Sequence, residues 1–118
     1  MDRGIPQEEW TAFFDDFIKT HHGYEVKLEI VGHTFGDQEE ATWLPFTGIS
    51  YDRHHQQLFI TVGGLSSRFP VHLTHTIQTP QKVHMHLSPA GEELTMRIMT
   101  PDPTETLVHL RPQRQLTA

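Results

Sequence analysis

The chain has 118 residues, which suffices for one folded domain with one hydrophobic core and is too short for two. It contains no cysteine, so disulfide bonds, thiolate metal sites and a cysteine nucleophile are excluded. Its formal net charge of -6 argues against binding to a nucleic-acid backbone, which needs clustered lysine and arginine.

The sequence shows no membrane-spanning or targeting signal. No apolar run approaches the roughly 20 residues of a membrane helix, and the first residues contain no apolar signal-peptide region. We therefore expect a cytoplasmic protein, with neither nucleic acid nor a membrane among its partners. Ten histidines make the net charge unusually adjustable below neutral pH, which adds a pH-responsive protein as a further hypothesis.

Residues 6–22 form the one predicted helix. Its large apolar side chains recur at the i, i+3, i+4 spacing of one helical face, so they are expected to pack on a core. Pro6 fits the first helical turn, and Gly23 can take the left-handed conformation that commonly ends a helix. The apolar face consists of Trp10, Phe13, Phe14, Phe17 and Ile18.

Alternation of apolar and polar residues predicts about seven or eight short strands between residues 24 and 110. On the first of them, Glu25, Lys27 and Glu29 share the face opposite the apolar residues. Residues 44–48 are expected to interrupt the second strand, and residues 52–56 to form a hairpin loop. The polar tail, residues 111–118, is expected to fray.

No second helix is available to connect parallel strands, so the strands are expected to form an antiparallel meander. The predicted fold class is α+β. An N-terminal amphipathic helix packs on a meander of about 7–8 short strands, arranged as a twisted sheet or a partial barrel. The whole chain, residues 1–118, is predicted to be a single domain.

One histidine cluster is a candidate metal site. His84 and His86 share one face of a predicted strand because strand side chains repeat every two residues. If the turn at residues 79–81 forms a hairpin with the preceding strand, Thr74 lies opposite His86 and His72 lies within reach. Three imidazoles on adjacent strands could hold zinc and leave a fourth position for water. The alternative interpretation is a solvated sheet face on which histidine and threonine simply alternate.

Two other features have simpler structural interpretations. His75 lies on the apolar side of its strand, where a core histidine hydrogen-bonded to the backbone is expected rather than a ligand or base. Gly63 and Gly64, followed by Ser66, Ser67 and Arg68, could cradle an anion, but no helix follows as in a P-loop. A flexible hairpin loop is the preferred interpretation.

Three stretches have recognisable patterns: residues 5–17 (I-P-Q-E-E-W-T-A-F-F-D-D-F), 44–52 (L-P-F-T-G-I-S-Y-D) and 72–80 (H-L-T-H-T-I-Q-T-P). They resemble a family of small bacterial proteins that is catalogued only as a domain of unknown function. The similarity extends over most of the chain. The resemblance implies a single-domain, cytoplasmic bacterial protein and transfers no catalytic residue.

The sequence contains no catalytic signature, so an enzyme is not favoured. The first hypothesis is a non-enzymatic binding or interaction module for a protein or small molecule, including a homodimer formed through an edge strand or a sheet face. The alternative is a metal-binding protein or metal-dependent hydrolase that uses zinc held by His72, His84 and His86.

Overall fold

A computed structural model describes residues 2–32, 36–63, 72–89, 93–101 and 104–112, with the backbone alone described for residues 2, 36–42 and 72. One α-helix and eight strands lie within these ranges, which confirms the predicted α+β class. In chain order they are β1 (Asp2–Ile5), a single 3₁₀ turn (Gln7–Glu9), α1 (Trp10–Thr20), β2 (Tyr24–Gly32), β3 (Gly36–Asp52), β4 (Gln57–Gly63), β5 (His72–Gln78), β6 (Lys82–Leu87), β7 (Leu94–Met99) and β8 (Thr104–Pro112).

The helix packs its aromatic side chains on β3, as the spacing predicted. Trp10, Phe14 and Phe17 are buried. The ring of Phe17 meets Phe46 of β3 edge-on, with 5.8 Å between centroids. Burial of each such side chain stabilises the folded state by roughly 1.5–3 kcal/mol. The helix ends before Gly23, whose φ of 88° is the expected left-handed conformation. No helix among the described residues has the length and hydropathy needed to cross a bilayer.

The first strand, β1, was not predicted. Its four residues show no alternation from which a strand could be recognised. It forms because β6 offers an antiparallel partner, with Ile5 opposite Val83. The indole Nε1 of Trp10 donates a 2.9 Å hydrogen bond to the Ile5 carbonyl. The helix therefore fixes β1 through a buried polar contact as well as through packing.

The eight strands form one antiparallel sheet in the order β1-β6-β7-β8-β2-β3-β4-β5. Two meanders, β2 to β5 and β6 to β8, are joined by the pairing of β2 with β8. The predicted interruption at residues 44–48 is wrong. One long strand continues through it and changes partner there, since Pro45 pairs with β2, Phe46 pairs with β4, and the register shifts before Gly48.

The predicted hairpin between β5 and β6 is also wrong. These two strands lie near opposite ends of the strand order although only three residues connect them. The link is tied to both meanders: Thr79 N–H donates to Gln56 O at 2.7 Å, and Gln81 N–H donates to Met99 O at 2.8 Å. The sheet therefore curves until its two ends approach each other at this link. In the described ranges no ladder closes it, so it remains a twisted open sheet.

The sheet has a buried inner face, which carries the helix, and an outer face that is mostly polar. On β2, Val26 and Leu28 are fully buried, whereas Lys27 and Glu29 point outward. Arg111 and Pro112, expected in the frayed tail, belong to β8 instead. Residues 113–118 lie outside the described part of the chain.

Candidate functional site

The two predicted metal-binding histidines of β6 lie together on the outer face. His84 and His86 are both exposed. Their neighbours on β7 are Arg97, which pairs with His84, and Thr95, which pairs with His86. The structure thus confirms that the two imidazoles share a side, and it supplies a different set of neighbours from the expected one.

The third predicted ligand, His72, is separated from them in the strand order. It lies on β5 opposite Gly63, and its side chain is outside the described part of the structure. Thr74, expected opposite His86, pairs with Thr61 instead. The expected pairing is wrong because β6 uses both of its edges to pair with β1 and β7. The strand pairing from which the zinc site was inferred does not occur. Zinc binding by these histidines stays a prediction.

The neighbour that β7 supplies disfavours a metal ion. Arg97 directly faces His84, and a permanent cation beside a ligand opposes the binding of a second cation. Across the described ranges, no group of three or more histidine, aspartate or glutamate side chains could hold a metal ion. The arrangement therefore does not favour zinc.

A second polar cluster lies on the outer face where β2, β8 and β7 run side by side. The register sets Lys27 opposite His109, and His109 opposite Thr95. Glu29 lies two residues beyond Lys27 and so projects from the same face. An open pocket of about 130 Å³ occurs here. We call it the His109 pocket; its polar and aromatic lining consists of Lys27, Glu29, Trp43, Glu93, Thr95 and His109.

Both ring nitrogens of His109 face polar groups. Nδ1 lies 3.2 Å from Thr95 Oγ1, and Nε2 lies 2.8 Å from Glu29 Oε1. The carboxylate is close enough for an ion pair but is not aligned for a hydrogen bond, so the buried Nε2 makes none. The same carboxylate oxygen lies 3.7 Å from Lys27 Nζ. Glu29 is thus shared between an imidazole and an ammonium group.

One wall of the pocket is held in a strained backbone conformation. Trp43 has φ 51°, in the left-handed region. A bulge causes it: Val26 of β2 pairs with Leu44, but Leu28 pairs with Ala41, so two residues of β3 oppose the single residue Lys27. The left-handed region costs a residue with a side chain about 1–2 kcal/mol. Strain of this kind concentrates at functional sites.

Arg111 holds the indole of Trp43 in place. Its guanidinium carbon lies 3.7 Å from the ring centroid, a cation–π contact. Its Nε donates a 3.2 Å hydrogen bond to Glu25 Oε1 on β2. Three strands therefore fix the aromatic wall through one stacked arginine, and the side chains of the pocket are preorganised.

Comparison with known proteins assigns the chain to a family. Residues 1–118, the whole chain, match the sequence model of a family described as a family of unknown function, DUF5335. The chain belongs to the DUF5335 family. The resemblance to an uncharacterised family that the sequence suggested is thereby confirmed.

The chain also has a distant relative of similar length. The chain is 27% identical over 110 residues to an uncharacterized protein of Aquifex aeolicus (strain VF5), and the match covers 93% of the chain and 92% of the relative. No solved structure shows significant similarity to this chain. Neither the family description nor the relative's name gives an activity, so the function of this DUF5335 chain is inferred from its own geometry.

In each of two other histidine pairs of the DUF5335 chain, one imidazole has a local structural role. His21 Nδ1 lies 3.0 Å from Phe17 O at the helix end, and its ring stacks on Phe17. Burial lowers the pKa of His21, and this outweighs the hydrogen bond to Phe17 and the attraction of Asp16. In the β3–β4 turn, the hydrogen bond from His55 Nδ1 lowers the pKa of Asp52.

Sequence reasoning identified only part of the His109 pocket. It placed Glu25, Lys27 and Glu29 on one exposed face, and that prediction is confirmed for Lys27 and Glu29 by their partly exposed side chains on the outer face. It missed His109 because no local signal specifies that the first long strand pairs with the last. Of the candidate anion loop, Gly63 ends β4, and residues 64–68 lie outside the described part of the chain. The predicted hydrogen-bonded role of half-buried His75 stays a prediction.

Proposed function

We propose that the protein is a small, non-enzymatic binding module that recognises the ammonium group of a small polar ligand in the His109 pocket. The observation that supports this most directly is the strained Trp43 wall beside a concave cluster of charged side chains. The bulge and the contact with Arg111 hold Trp43 in this conformation, and the backbone strain is consistent with a role in placing the indole at the pocket. Ligand pockets typically combine such an aromatic wall with a few convergent polar groups.

The charges of the pocket support a cationic ligand group. Two carboxylates, Glu29 and Glu93, line it together with one ammonium, Lys27. The Lys27 Nζ to Glu29 Oε1 distance of 3.7 Å is long, so this ion pair is weak and easily exchanged. An amine entering the pocket can replace Lys27 at Glu29. The indole of Trp43 adds a surface that attracts cations.

The exposed surface favours a polar ligand over an apolar protein partner. Among the described residues, Leu87 is the one large hydrophobic side chain counted as exposed, with 40% of its surface accessible. Stable protein interfaces usually have an apolar core, and scattered single hydrophobic residues are ordinary surface. A homodimer through a sheet face therefore has less support than a small-molecule site. We further propose a cytoplasmic location, supported by the absence of cysteine, which cell fractionation can check.

The experiment is an NMR titration that follows the indole N–H of Trp43. The chain has only two tryptophans, and the other indole, of buried Trp10, is bonded to the Ile5 carbonyl. Ethylammonium is expected to shift the Trp43 signal saturably, whereas acetate at equal ionic strength is not. Glu29→Gln should weaken binding about tenfold, as expected for the loss of a charge-assisted contact.

The matched control is Glu105→Gln. Glu105 is also an ion-paired carboxylate of the outer face, but it bonds Arg97 and lies outside the pocket. It should leave the ethylammonium titration unchanged. Equal binding by Glu29→Gln and the wild type would contradict the proposal. Turnover of an activated ester that disappears in His109→Ala would contradict the non-enzymatic assignment, since a carboxylate, an imidazole and a hydroxyl are neighbours here.

A further inference from the structure

A second concave feature of the outer face lies between β6 and β7, apart from the His109 pocket. It is an open cleft of about 200 Å³ lined by His84, Met85, His86 and Arg97. Three of these four residues carry nitrogen donors that are cationic or can become so. The two histidines are those first suggested as metal ligands, and the arginine changes the chemistry that they favour.

The strand register brings the three side chains together. His84 and Arg97 are directly opposite each other in the β6–β7 ladder. Side chains at such positions have Cβ atoms about 4.5–5.5 Å apart. His86 lies two residues further on β6 and projects from the same face. Arg97 is permanently cationic, so this face carries positive charge beside the two imidazoles.

Neighbouring strands orient both sides of the cleft. On the β8 side, Arg97 Nη2 donates a 2.8 Å hydrogen bond to Glu105 Oε1, which anchors one end of the guanidinium. On the β1 side, the ring of His84 lies against Gly4, where an added Cβ would meet Cε1 at 3.5 Å. That distance is an ordinary van der Waals contact, so the imidazole lies over β1 and would tolerate alanine at position 4.

We propose that this cleft binds the phosphate group of a small phosphate monoester. A guanidinium presents five N–H donors in a planar fork, and the bond to Glu105 engages only one of its nitrogens. The imidazoles of His84 and His86 add donors from the opposite side. A doubly charged tetrahedral group can accept from all three side chains, whereas a planar carboxylate can satisfy fewer of them.

The acidic groups around the cleft limit its affinity. Glu105 neutralises part of the charge of Arg97, and Asp2 of β1 occupies the register position opposite His86. Lys82 is at the other end of β6. Because the lining side chains are exposed to water, binding of inorganic phosphate alone should be weak, with Kd of about 1 mM. A larger monoester gains further contacts and should bind more tightly.

The test is an NMR titration of the histidine ring signals at fixed pH and ionic strength, with inorganic phosphate, glycerol phosphate and sodium chloride as titrants. The two phosphates should shift the signals of His84 and His86 saturably, and chloride should not. Arg97→Gln should weaken binding about tenfold, because it removes a charge-assisted contact. His84→Gln together with His86→Gln should reduce it further while leaving Arg97 paired with Glu105.

The β3–β4 turn offers a matched control. Arg53, His54 and His55 place an arginine beside two histidines in exposed positions, so Arg53→Gln removes the same charge without touching the cleft. It should bind phosphate like the wild type. Equal shifts from chloride, or equal binding by Arg97→Gln and Arg53→Gln, would overturn the proposal.

Two further titrations distinguish a soluble phosphate ligand from a metal ion and from a lipid headgroup. Zinc that perturbs His84 and His86 in a sample to which phosphate does not bind would overturn the anion site in favour of the metal hypothesis. Binding to vesicles containing phosphatidic acid without binding of glycerol phosphate would overturn the soluble ligand. The His109 pocket contributes no residue to these measurements, so an outcome at one site does not decide the other.

Discussion

At the scale of single residues, several histidines are explained by the atoms that they contact. His21 closes the helix end by stacking on Phe17, with 3.9 Å between ring centroids, and meets Tyr24 edge-on. His55 bonds the carboxylate of Asp52, which also accepts from the backbone N–H groups of the turn. These contacts order the ends of elements. Two of the ten histidines therefore have separate local roles.

The lowered pKa of His21 predicts an acid-sensitive helix end. In the unfolded chain a histidine has a pKa of about 6.5, and burial holds it lower in the fold. The unfolded state therefore binds the proton first, and the free energy of unfolding should fall as pH drops below about 6.5. His21→Phe keeps the ring stack and removes the titration. In urea unfolding across this pH range, the free energy of unfolding should decrease less for the variant than for the wild type.

The neighbouring exposed residue supplies the control for the His21 prediction. His22→Phe removes a histidine one position away without altering the stacked ring. The pH dependence of its unfolding should follow the wild type. If His21→Phe also followed the wild type, burial of His21 would contribute nothing to the acid sensitivity.

At the scale of elements, the bulge in β3 has an energetic signature. Trp43 lies at φ 51°, where glycine is permitted and any residue with a Cβ is strained. Trp43→Ala and Trp43→Gly both lose the contact with Arg111, so this loss cancels between them. We expect the glycine variant to be more stable than the alanine variant by about 1 kcal/mol, measured by urea unfolding.

An ordinary strand position should show the opposite order. Thr61 lies inside β4, paired on both sides and without a positive φ. There alanine should exceed glycine in stability by roughly 0.5–1 kcal/mol. If alanine were also the more stable substitution at position 43, the bulge would carry no strain and would not support a specialised site.

The elements themselves were largely predictable from local pattern, and their partners were not. The aromatic spacing of α1 and the alternation of β2 each identify an element and its buried side. No comparable signal states which strands pair, because all of them present the same alternation. The three-residue link at 79–81 looked like a hairpin turn, but Thr79 takes φ 52° and bonds Gln56 instead of closing a hairpin. The His109 pocket depends on pairing across the chain, which explains why it was missed.

At the scale of the whole molecule, stability should be unevenly distributed over the sheet. Within the described ranges, β1 is short and pairs on one side only, with β6, whereas β2 is paired on both sides. Edge elements with few backbone hydrogen bonds open without global unfolding. The amides of β1 should therefore exchange with solvent through a smaller opening, and those of Val26 and Leu28 through global unfolding. Hydrogen exchange at increasing denaturant measures both.

The two outcomes of that exchange experiment are easily separated. If β1 opens independently, its amides exchange at a rate that depends little on denaturant, and the rates for β2 depend on it steeply. If the bond from Trp10 to the Ile5 carbonyl couples β1 fully to the helix, both sets depend on denaturant alike. The second result would show that the hydrogen bond from Trp10 to Ile5 keeps β1 folded although it has a partner strand on one side only.

The pairing of β1 with β6 also has a consequence for biosynthesis. The residues of β1 leave the ribosome before their partner strand β6, which lies some eighty residues later in the chain. During translation the β2–β3 and β3–β4 ladders can form early, because they join neighbours in sequence. The edge against which His84 rests is therefore completed late. A nascent or truncated chain that lacks β6 has no phosphate cleft, so phosphate occupancy would report a finished molecule.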